Sequence, residues 1–459
     1  MDFWLECSII KTRFMRRIIF IICFALGGMF TGCEEFLDKK SDMSLTVIDS
    51  PDDLFALMDD ISRMNRSAVV LQNASDEYYL TQADLNSLPK EFDRESHVWD
   101  LKTQNVEDWN ALYHIVHISN VVLDNLEGLN LQETDRQFKV LKGMALFYRS
   151  HAYYNLLQIF SKQYNEMSAS ADLGIVLRTN SDFSVKSRRS TVEESYKQVI
   201  TDLEKASLLL DPLSAYRTRP SEWACEALLA RVYLIMGDFE KSEIHAARCL
   251  AISDVLLDYN EIPNNAAAPF QLLNDEIIFY SNTSVAITAQ AAKALVPAEV
   301  YNQYEEGDLR KSLFFDVRNV ARITFKGSYN GSIYNVFNGI ATDEVYLILA
   351  ESYIRLDKLD EALEVLNMLK RHRWNRENFE LFSAVTKEEC LDILKTERLR
   401  QLFFRGQRII DCRRWRNLGE NVMLNRLIGD INVDFDFSTT EMVWNIPDQV
   451  LNLTDLSQN

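Results

Sequence analysis

The chain has 459 residues, of which 47% are hydrophobic and 25% are charged, and this composition is typical of a globular protein with a sizeable core. Asp and Glu number 68 against 49 Lys and Arg, which gives a formal net charge of -19. A body this acidic repels polyanions, so we expect no nucleic acid among its partners.

The N-terminal segment has the pattern of an export signal. Cationic residues precede the apolar run 18–30, and small residues then lead to Cys33. This run is too short to cross a bilayer, which takes about 20 apolar residues. We therefore expect residues 1–32 to be a cleaved signal peptide, with Met15 as an alternative start of translation. A cysteine directly after such a signal is typical of a lipoprotein, so Cys33 is the predicted lipidation site and residues 33–46 a lipidated tether.

Residues 47–459 are predicted to be mainly α-helical. Glycine and proline are scarce, at 14 and 8 residues, and apolar residues recur with the 3.6-residue period of amphipathic helices. Ser50, followed by Pro51 and two acids, has the composition of a helix start. Capping-box patterns at Thr191 and Thr386 predict two further helix starts.

Internal similarity indicates a repeat. Segments 227–242 and 346–362 share a small residue, an aromatic residue, a short polar turn and a following amphipathic helix, and a weaker pair joins 144–160 to 193–210. This is the tetratricopeptide pattern, in which small side chains let two antiparallel helices approach closely. We therefore expect a superhelical scaffold of paired helices.

Two regions interrupt the helical pattern, at about 161–190 and at about 258–340. The second is rich in Asn, Tyr and Ser and contains the apolar runs 276–280 and 321–325, which have the composition of short strands. Loops this long are usually functional surfaces or packed excursions. We expect the ligand-facing part of the protein here.

Near the C-terminus, residues 397–416 read ERLRQLFFRGQRIIDCRRWR and hold seven arginines against two acids. This segment, the arginine cassette, is predicted to form the end of one helix, a left-handed turn at Gly406 and the start of another helix. The stretch 387–404, which overlaps the cassette, has a predicted inward stripe of apolar side chains: Leu391, Leu394, Leu402 and Phe403. The arginines of the cassette are expected on the outer faces, where they would pair with neighbouring acids and cover apolar surface.

Several motifs together carry a resemblance to a known family. They are CEEFLD at 33–38, WNALYHIVHISNVVLDNL at 109–126, GMALFYRSHAYYNLLQIF at 143–160, WACEALLARVYLIMGDFEKS at 223–242, DLRKS at 308–312, VYLILAESYIRLDKLDEALEVLN at 345–367 and VWNIP at 443–447. The cassette is the most specific, and departs from the family pattern at Gln401, Arg405 and Cys412. The chain resembles the SusD/RagB family of outer-membrane nutrient-binding lipoproteins, and the resemblance runs from Cys33 almost to the end.

The resemblance implies a single SusD-like helical domain over residues 47–459, with loop insertions and a few short strands. It implies that Trp109, Trp223 and Trp415, which match family positions on helices, are core residues. It also implies a lipid-anchored protein on the cell surface at the outer membrane. Its partners would be a glycan or other nutrient and a TonB-dependent barrel of the SusC/RagA type.

The sequence gives no sign of catalysis or of a metal site. Nucleophile-elbow, phosphate-loop and metalloprotease motifs are missing, so we expect no enzyme activity and no cofactor. His114 and His117 could share one helix face, but they lack a nearby third ligand, and packing is the preferred interpretation. The cysteines beyond the leader are predicted to be buried and unpaired: Cys225, Cys249, Cys390 and Cys412.

Sugar binding needs aromatic faces for C–H groups and a few polar partners for hydroxyls. The candidate aromatic residues are those outside or at the edges of the helical motifs, and packing within loops is the alternative for each. The predicted ligand-binding residues are Tyr78, Tyr79, Trp99, Tyr301, Tyr329, Tyr334 and Trp374.

Three hypotheses about function follow. The first is a surface lipoprotein that binds a nutrient, taken to be an oligosaccharide, and delivers it to the transporter. The alternative is a helical-repeat interaction protein that caps the transporter and has little ligand affinity of its own. The third is a glycan hydrolase, for which the abundant carboxylates provide no distinctive spacing.

Overall fold

The computed structural model describes residues 48–129, 131–283, 287–319, 321–429 and 431–459. The predicted signal peptide, the Cys33 lipidation site and the tether lie outside the described residues. Within the described ranges, none of the helices combines the length and the apolar character that a bilayer crossing requires. Ser50–Asn459 forms one compact unit by its internal contacts.

The described chain is mainly helical, as predicted. Its α-helices are α1 Pro51–Met58, α2 Ile61–Met64, α3 Val70–Asn73, α4 Gln82–Asn86, α5 Glu91–His97, α6 Val106–Leu126, α7 Arg136–Phe160, α8 Val192–Ser207, α9 Glu222–Met236, α10 Phe239–Ile252, α11 Ala298–Tyr301, α12 Arg310–Phe314, α13 Thr342–Arg355, α14 Leu359–Arg371, α15 Lys387–Gln401, α16 Arg408–Asn417 and α17 Asp448–Asn452.

The strands of the described residues pair into four short antiparallel ladders, β1 with β2, β3 with β6, β4 with β5 and β7 with β8. Their bounds are β1 Leu173–Val176, β2 Arg189–Thr191, β3 Ile277–Phe279, β4 Phe315–Asn319, β5 Arg322–Phe325, β6 Ile340–Ala341, β7 Met423–Ile428 and β8 Ile431–Asp436. Strands β3 and β5 confirm the two predicted apolar runs. The β7–β8 hairpin was missed.

The predicted helix starts are confirmed by their hydrogen bonds. Full capping boxes form at Ser50, Thr191 and Thr386, where the side chain accepts from the backbone N–H three residues later. Helix α9 ends at Gly237, which has a left-handed φ of 79° and is followed at once by the polar turn to α10.

The long helices pack against one another along the chain. Helix α6 packs on α7, α7 on α8, α9 on α10 and α13 on α14, while α13 also lies against α10. The close approach depends on small residues. The Ser242 hydroxyl donates to the Ala230 carbonyl at 3.1 Å, and the Ser352 hydroxyl donates to Ser242 at 3.0 Å. The predicted repeat scaffold is therefore present.

The cassette has the predicted helix–turn–helix form, but five of its seven arginines are buried and not on outer faces. Gly406 has a left-handed φ of 67° between α15 and α16. The buried cassette arginines, each at most 7% exposed, are Arg398, Arg400, Arg405, Arg413 and Arg414. The prediction of exposure is wrong because acids of other elements reach them in the interior, which the local sequence pattern could not show.

Ion pairing itself, the predicted role of these arginines, is confirmed. The pairs are Arg398 with Asp411, Arg400 with Glu397 and Glu305, Arg405 with Asp343, Arg408 with Asp76, and Arg414 with Asp411 and Glu351. Arg413 instead donates to the carbonyl oxygens of Gln158 and Ser161 at the C-terminus of α7. A cation is favourable at that end of a helix.

Other core predictions are confirmed as well. Trp109, Trp223 and Trp415 are buried, with at most 8% exposure. The four cysteines beyond the leader, named above, are buried and unpaired. An aromatic cluster joins the 258–340 region to the cassette, since the ring centroids of Phe325 and Phe404 lie 4.7 Å apart. This region is therefore packed against the scaffold.

Candidate functional site

A cleft of about 500 Å³ opens within the 258–340 region. One wall is the β4–β5 hairpin, which we call the cleft hairpin. The loop 265–267, the turn 290–292 and the pair Ile333–Tyr334 complete its lining. The volume lies in the range of small-molecule sites, about 300–1,000 Å³.

The apolar side chains of the cleft hairpin lie mainly in the core, although Val317 is 46% exposed. Phe315, Ile323 and Phe325 are at most 8% exposed and belong to the aromatic core. Asp316 pairs across the ladder with Thr324, so these two side chains share one face of the hairpin. The polar hairpin residues that line the cleft are Asp316, Arg318, Arg322, Thr324 and Lys326.

Backbone hydrogen bonds hold the cleft hairpin in place. The Val296 N–H donates to the Ile323 carbonyl at 2.8 Å, and Tyr79 and Leu295 exchange two bonds of 2.9 Å. The Lys326 N–H donates to the Phe314 carbonyl at 2.7 Å. The polar wall is thus tied to the N-terminal part of the domain and to its own core, which positions its side chains before a ligand arrives.

Side chains also link the hairpin to the opposite walls. Lys326 Nζ donates to the carbonyl oxygens of Asn264 and Ala266, at 2.9 and 3.5 Å. Arg322 donates to the Ala292 carbonyl at 3.4 Å. Tyr334 is 64% exposed and provides an aromatic surface at the cleft. The arrangement offers cationic donors, amides and one exposed aromatic ring to a ligand.

The seven predicted ligand-binding residues are not brought together. Tyr334 lines the cleft, and Tyr79 and Tyr301 are half-buried. The Tyr301 ring packs on Phe315 at 5.5 Å, behind the polar face of the hairpin. The other four are core residues, at most 7% exposed: Tyr78, Trp99, Tyr329 and Trp374.

The contacts of these four residues explain their burial. The rings of Tyr78 and Trp99 lie 5.5 and 5.0 Å from the Arg426 guanidinium. The Trp374 ring lies 4.3 Å from Lys370 Nζ. Their aromatic faces are occupied by cations of the protein itself, so this structure leaves them no face for a sugar.

The fourth residue, Tyr329, belongs to a buried polar network. Its hydroxyl donates to Glu276 at 2.6 Å, and Glu276 accepts from Arg373 at 2.7 Å. Burial raises the pKa of Glu276, whereas the Arg373 guanidinium opposes that rise. Glu276 and Arg373 are both 0% exposed, so this carboxylate has a structural partner and no path to substrate.

The hairpin side chains were missed by the sequence analysis, which searched for aromatic residues. A signal was present in the sequence. Polar residues at 316, 318, 322, 324 and 326 alternate with apolar ones, as in a strand with one solvated face. A search for alternating polar residues in and around the predicted strand 321–325 would have identified them.

Among the described residues, no group of three His, Cys, Asp or Glu side chains is placed to hold a metal ion. The His117 ring packs against Phe183, with their centroids 4.6 Å apart. Burial lowers the pKa of His114 and of His117 below the ordinary histidine value.

Comparison with known proteins places this fold in a family. A family model described as starch-binding and associating with the outer membrane matches residues 35–234, and the SusD family model matches residues 342–455. Together they match about two thirds of the chain. The SusD-like protein P2 of Formosa agariphila is 28% identical over 136 residues, which are 29% of this chain and 25% of that relative. This chain thus matches a quarter of the length of that curated relative.

Solved structures share the fold over nearly their whole length. A SusD superfamily protein from Bacteroides thetaiotaomicron has a TM-score of 0.72 at 20% identity, covering 89% of this chain and 99% of that one. A SusD-like carbohydrate binding protein from Bacteroides vulgatus has a TM-score of 0.66 at 18% identity, covering 87% and 92%. The chain belongs to the SusD/RagB family.

Proposed function

We propose that this protein is a lipid-anchored receptor on the cell surface. It binds an oligosaccharide in the cleft and delivers it to a TonB-dependent outer-membrane transporter of the SusC/RagA type. The observation that carries the proposal is the cleft itself. It lies between residues 235 and 341, outside both matched family segments, on a scaffold shared with the family.

The lining of the cleft supports sugar binding. The exposed Tyr334 ring offers a flat apolar face for sugar C–H groups. Gln290, Asn265 and Thr324 offer donors and acceptors for hydroxyls. A carbohydrate ligand also agrees with the similarity in fold to the SusD-like carbohydrate binding protein from Bacteroides vulgatus.

The lining supports binding rather than hydrolysis. Glycoside hydrolysis commonly uses two carboxyl groups about 5–10 Å apart. Asp316 is the single carboxylate among the described residues that line the cleft. Its Oδ2 lies 3.5 Å from Nε of Arg318. We therefore assign the chemical steps, as well as transport energy, to partner proteins.

The rigid scaffold fits the proposed delivery step. Buried pairs such as Arg231 with Glu344 and Arg373 with Glu276 tie the helices to one another. A framework held in this way keeps the cleft in one shape, which lowers the entropic cost of binding. The outer-membrane association in the family description supports a membrane-bound partner.

Replacing Tyr334 with alanine tests the site. We expect the full-length protein to bind at least one member of a panel of neutral and acidic oligosaccharides in calorimetry. Tyr334→Ala should weaken that binding by about 1–3 kcal/mol, because the stacking face is lost. Tyr216→Ala is the matched control, since Tyr216 is 60% exposed and lies outside the cleft.

Different outcomes separate the alternatives. Unchanged affinity in Tyr334→Ala would place sugar binding elsewhere, and an equal loss in Tyr216→Ala would mean that the effect is not specific to the cleft. Capture of a large β-barrel without affinity for any oligosaccharide would support the interaction-protein hypothesis. Release of sugar by the purified protein alone, abolished by changing one carboxylate, would support an enzyme.

A further inference from the structure

The charge of the cleft is opposite in sign to that of the whole protein. Arg318, Arg322 and Lys326 line it, and among the described lining residues they face one acid, Asp316. The chain as a whole has 68 acidic and 49 basic residues. A local excess of positive charge on such an acidic protein indicates that these cations have a function in the cleft.

Two of these cations have no carboxylate partner in the part of the chain that the structure describes. Arg322 and Lys326 donate to neutral carbonyl oxygens, at 3.4 and 2.9 Å. These hydrogen bonds hold the side chains at the cleft and leave their charges uncompensated. Arg318 meets Asp316 through one contact of 3.5 Å, with side chains 68% and 51% exposed. An exposed pair of this kind contributes little.

Structural arginines elsewhere in the protein are matched differently. Arg231 donates to Glu344 through two bonds of 2.7 and 2.6 Å. Arg414 donates to Glu351 through two bonds of 2.6 and 2.7 Å. Although Arg413 is held by carbonyl oxygens alone, these two arginines of the helical scaffold each meet a carboxylate in bidentate geometry. The cleft cations lack that arrangement and remain available to an external anion.

Resting on the proposed sugar-binding function, we infer that the ligand of the cleft is an acidic oligosaccharide bearing carboxylate or sulfate groups. A guanidinium presents a planar fork of donors that matches either anion. The Tyr334 ring supplies the apolar contact that a sugar needs in addition to charge. The anionic groups of the ligand complete the ion pairs that the protein leaves open.

The spacing of the cations favours a chain of sugars over a single one. Arg322 and Lys326 are four residues apart along the β5 segment, which corresponds to roughly 13 Å in an extended strand. The two side chains are also held by different walls, Arg322 by the Ala292 carbonyl and Lys326 by the Asn264 carbonyl, so we expect each to meet a separate anionic group. Successive charged units of an oligosaccharide can supply both groups, because the cleft runs along the polar face of the hairpin.

Calorimetry on the full-length protein tests this inference with three probes of equal length. They are an oligogalacturonate, a sulfated galactan oligosaccharide and a neutral galactan oligosaccharide. We expect at least one acidic probe to bind about tenfold more tightly than the neutral one. Raising the ionic strength from about 0.01 to about 1 M shortens the screening length from about 30 to about 3 Å, and should remove that preference.

The double variant Arg318→Gln/Arg322→Gln should lower the affinity for the acidic probe to that of the neutral one. Arg248→Gln is the matched control, because Arg248 is an exposed arginine on α10, away from the cleft. Unchanged thermal midpoints confirm that both proteins fold. Tight, salt-insensitive binding of the neutral probe alone would overturn the inference and leave the proposed function standing. Binding of none of the probes or of a wider panel would overturn both.

Discussion

At the scale of single residues, Glu77 is the most unusual carboxyl group of the protein. It is 2% exposed, and it accepts hydrogen bonds from the Ser75 hydroxyl at 2.6 Å and from the Phe404 N–H at 3.0 Å. Burial nevertheless raises the pKa of Glu77 to about 7. Desolvation of the charged form outweighs the two hydrogen bonds and the nearby Arg408.

This pKa predicts a pH-dependent stability. The folded state holds the Glu77 proton more tightly than the unfolded state, whose pKa is about 4.5, so the free energy of unfolding falls as the pH rises from about 4.5 to about 7. A rise of about 2.5 pKa units corresponds to about 3 kcal/mol at higher pH. Urea titrations at pH 5 and pH 8 measure this fall. Between the two pH values, the free energy of unfolding should fall less in Glu77→Gln than in the unmodified protein.

Glu240→Gln is the control for this experiment, because Glu240 is exposed on α10. It should follow the pH dependence of the unmodified protein. If Glu77→Gln follows the same curve as well, Glu77 does not titrate in the stated range.

At the scale of elements, the buried arginines join helices that are distant in sequence. Arg414 on α16 binds Glu351 on α13 in a bidentate pair. Burial alone would raise the pKa of Glu351, but Arg414, Arg398 and Arg355 outweigh it and lower that pKa to about 2. The pair therefore contributes its stability above about pH 4.5, and that contribution is lost as the pH falls toward 2.

Removing this carboxylate should be costly. Glu351→Gln leaves the Arg414 charge buried without its main partner, and we expect the free energy of unfolding to fall by about 3–5 kcal/mol at pH 7. Glu364→Gln, on the exposed face of α14, should change it by less than about 0.5 kcal/mol. Denaturant titration of the two variants measures the difference. Equal small effects would mean that other partners satisfy Arg414.

The elements themselves were largely predictable. Caps at Ser50, Thr191 and Thr386 and the left-handed Gly406 follow from local chemistry, which a sequence displays directly. The exposure of the cassette was not predictable in this way. The spacing of arginines in the sequence is the same whether their helix face is exposed to solvent or is buried against acids from a distant helix.

At the scale of the whole molecule, the proposed lipid anchor would hold the cleft at the membrane. Cys33→Ser removes the thiol that would carry the lipid, so we expect the protein to move from the membrane fraction to the soluble fraction after cell lysis. Immunoblotting of the two fractions measures this shift. Cys225→Ser is the control, because Cys225 is buried in α9. Retention of Cys33→Ser in the membrane fraction would argue against acylation.

The candidate site shows where whole-molecule information was needed. The sequence indicated the 258–340 region, and Tyr334 within it lines the cleft. Composition could not separate Tyr334 from Tyr78 or Tyr329, which are equally aromatic and lie outside the helical motifs. Packing makes the difference, because residues distant in sequence contact the two buried tyrosines. The Arg426 guanidinium lies over the Tyr78 ring, and Glu276 accepts a hydrogen bond from the Tyr329 hydroxyl.

The sequence by itself determined the helical scaffold, its repeat and its family, because periodicity, caps and motifs are local properties of the chain. Tertiary structure alone decided which arginines pair with carboxylates in the core and which line the cleft without such a partner. That distinction depends on charges brought together across more than a hundred residues, as in Arg231 with Glu344. No local pattern records such a pairing, since the energy of a charge depends on its surroundings in space.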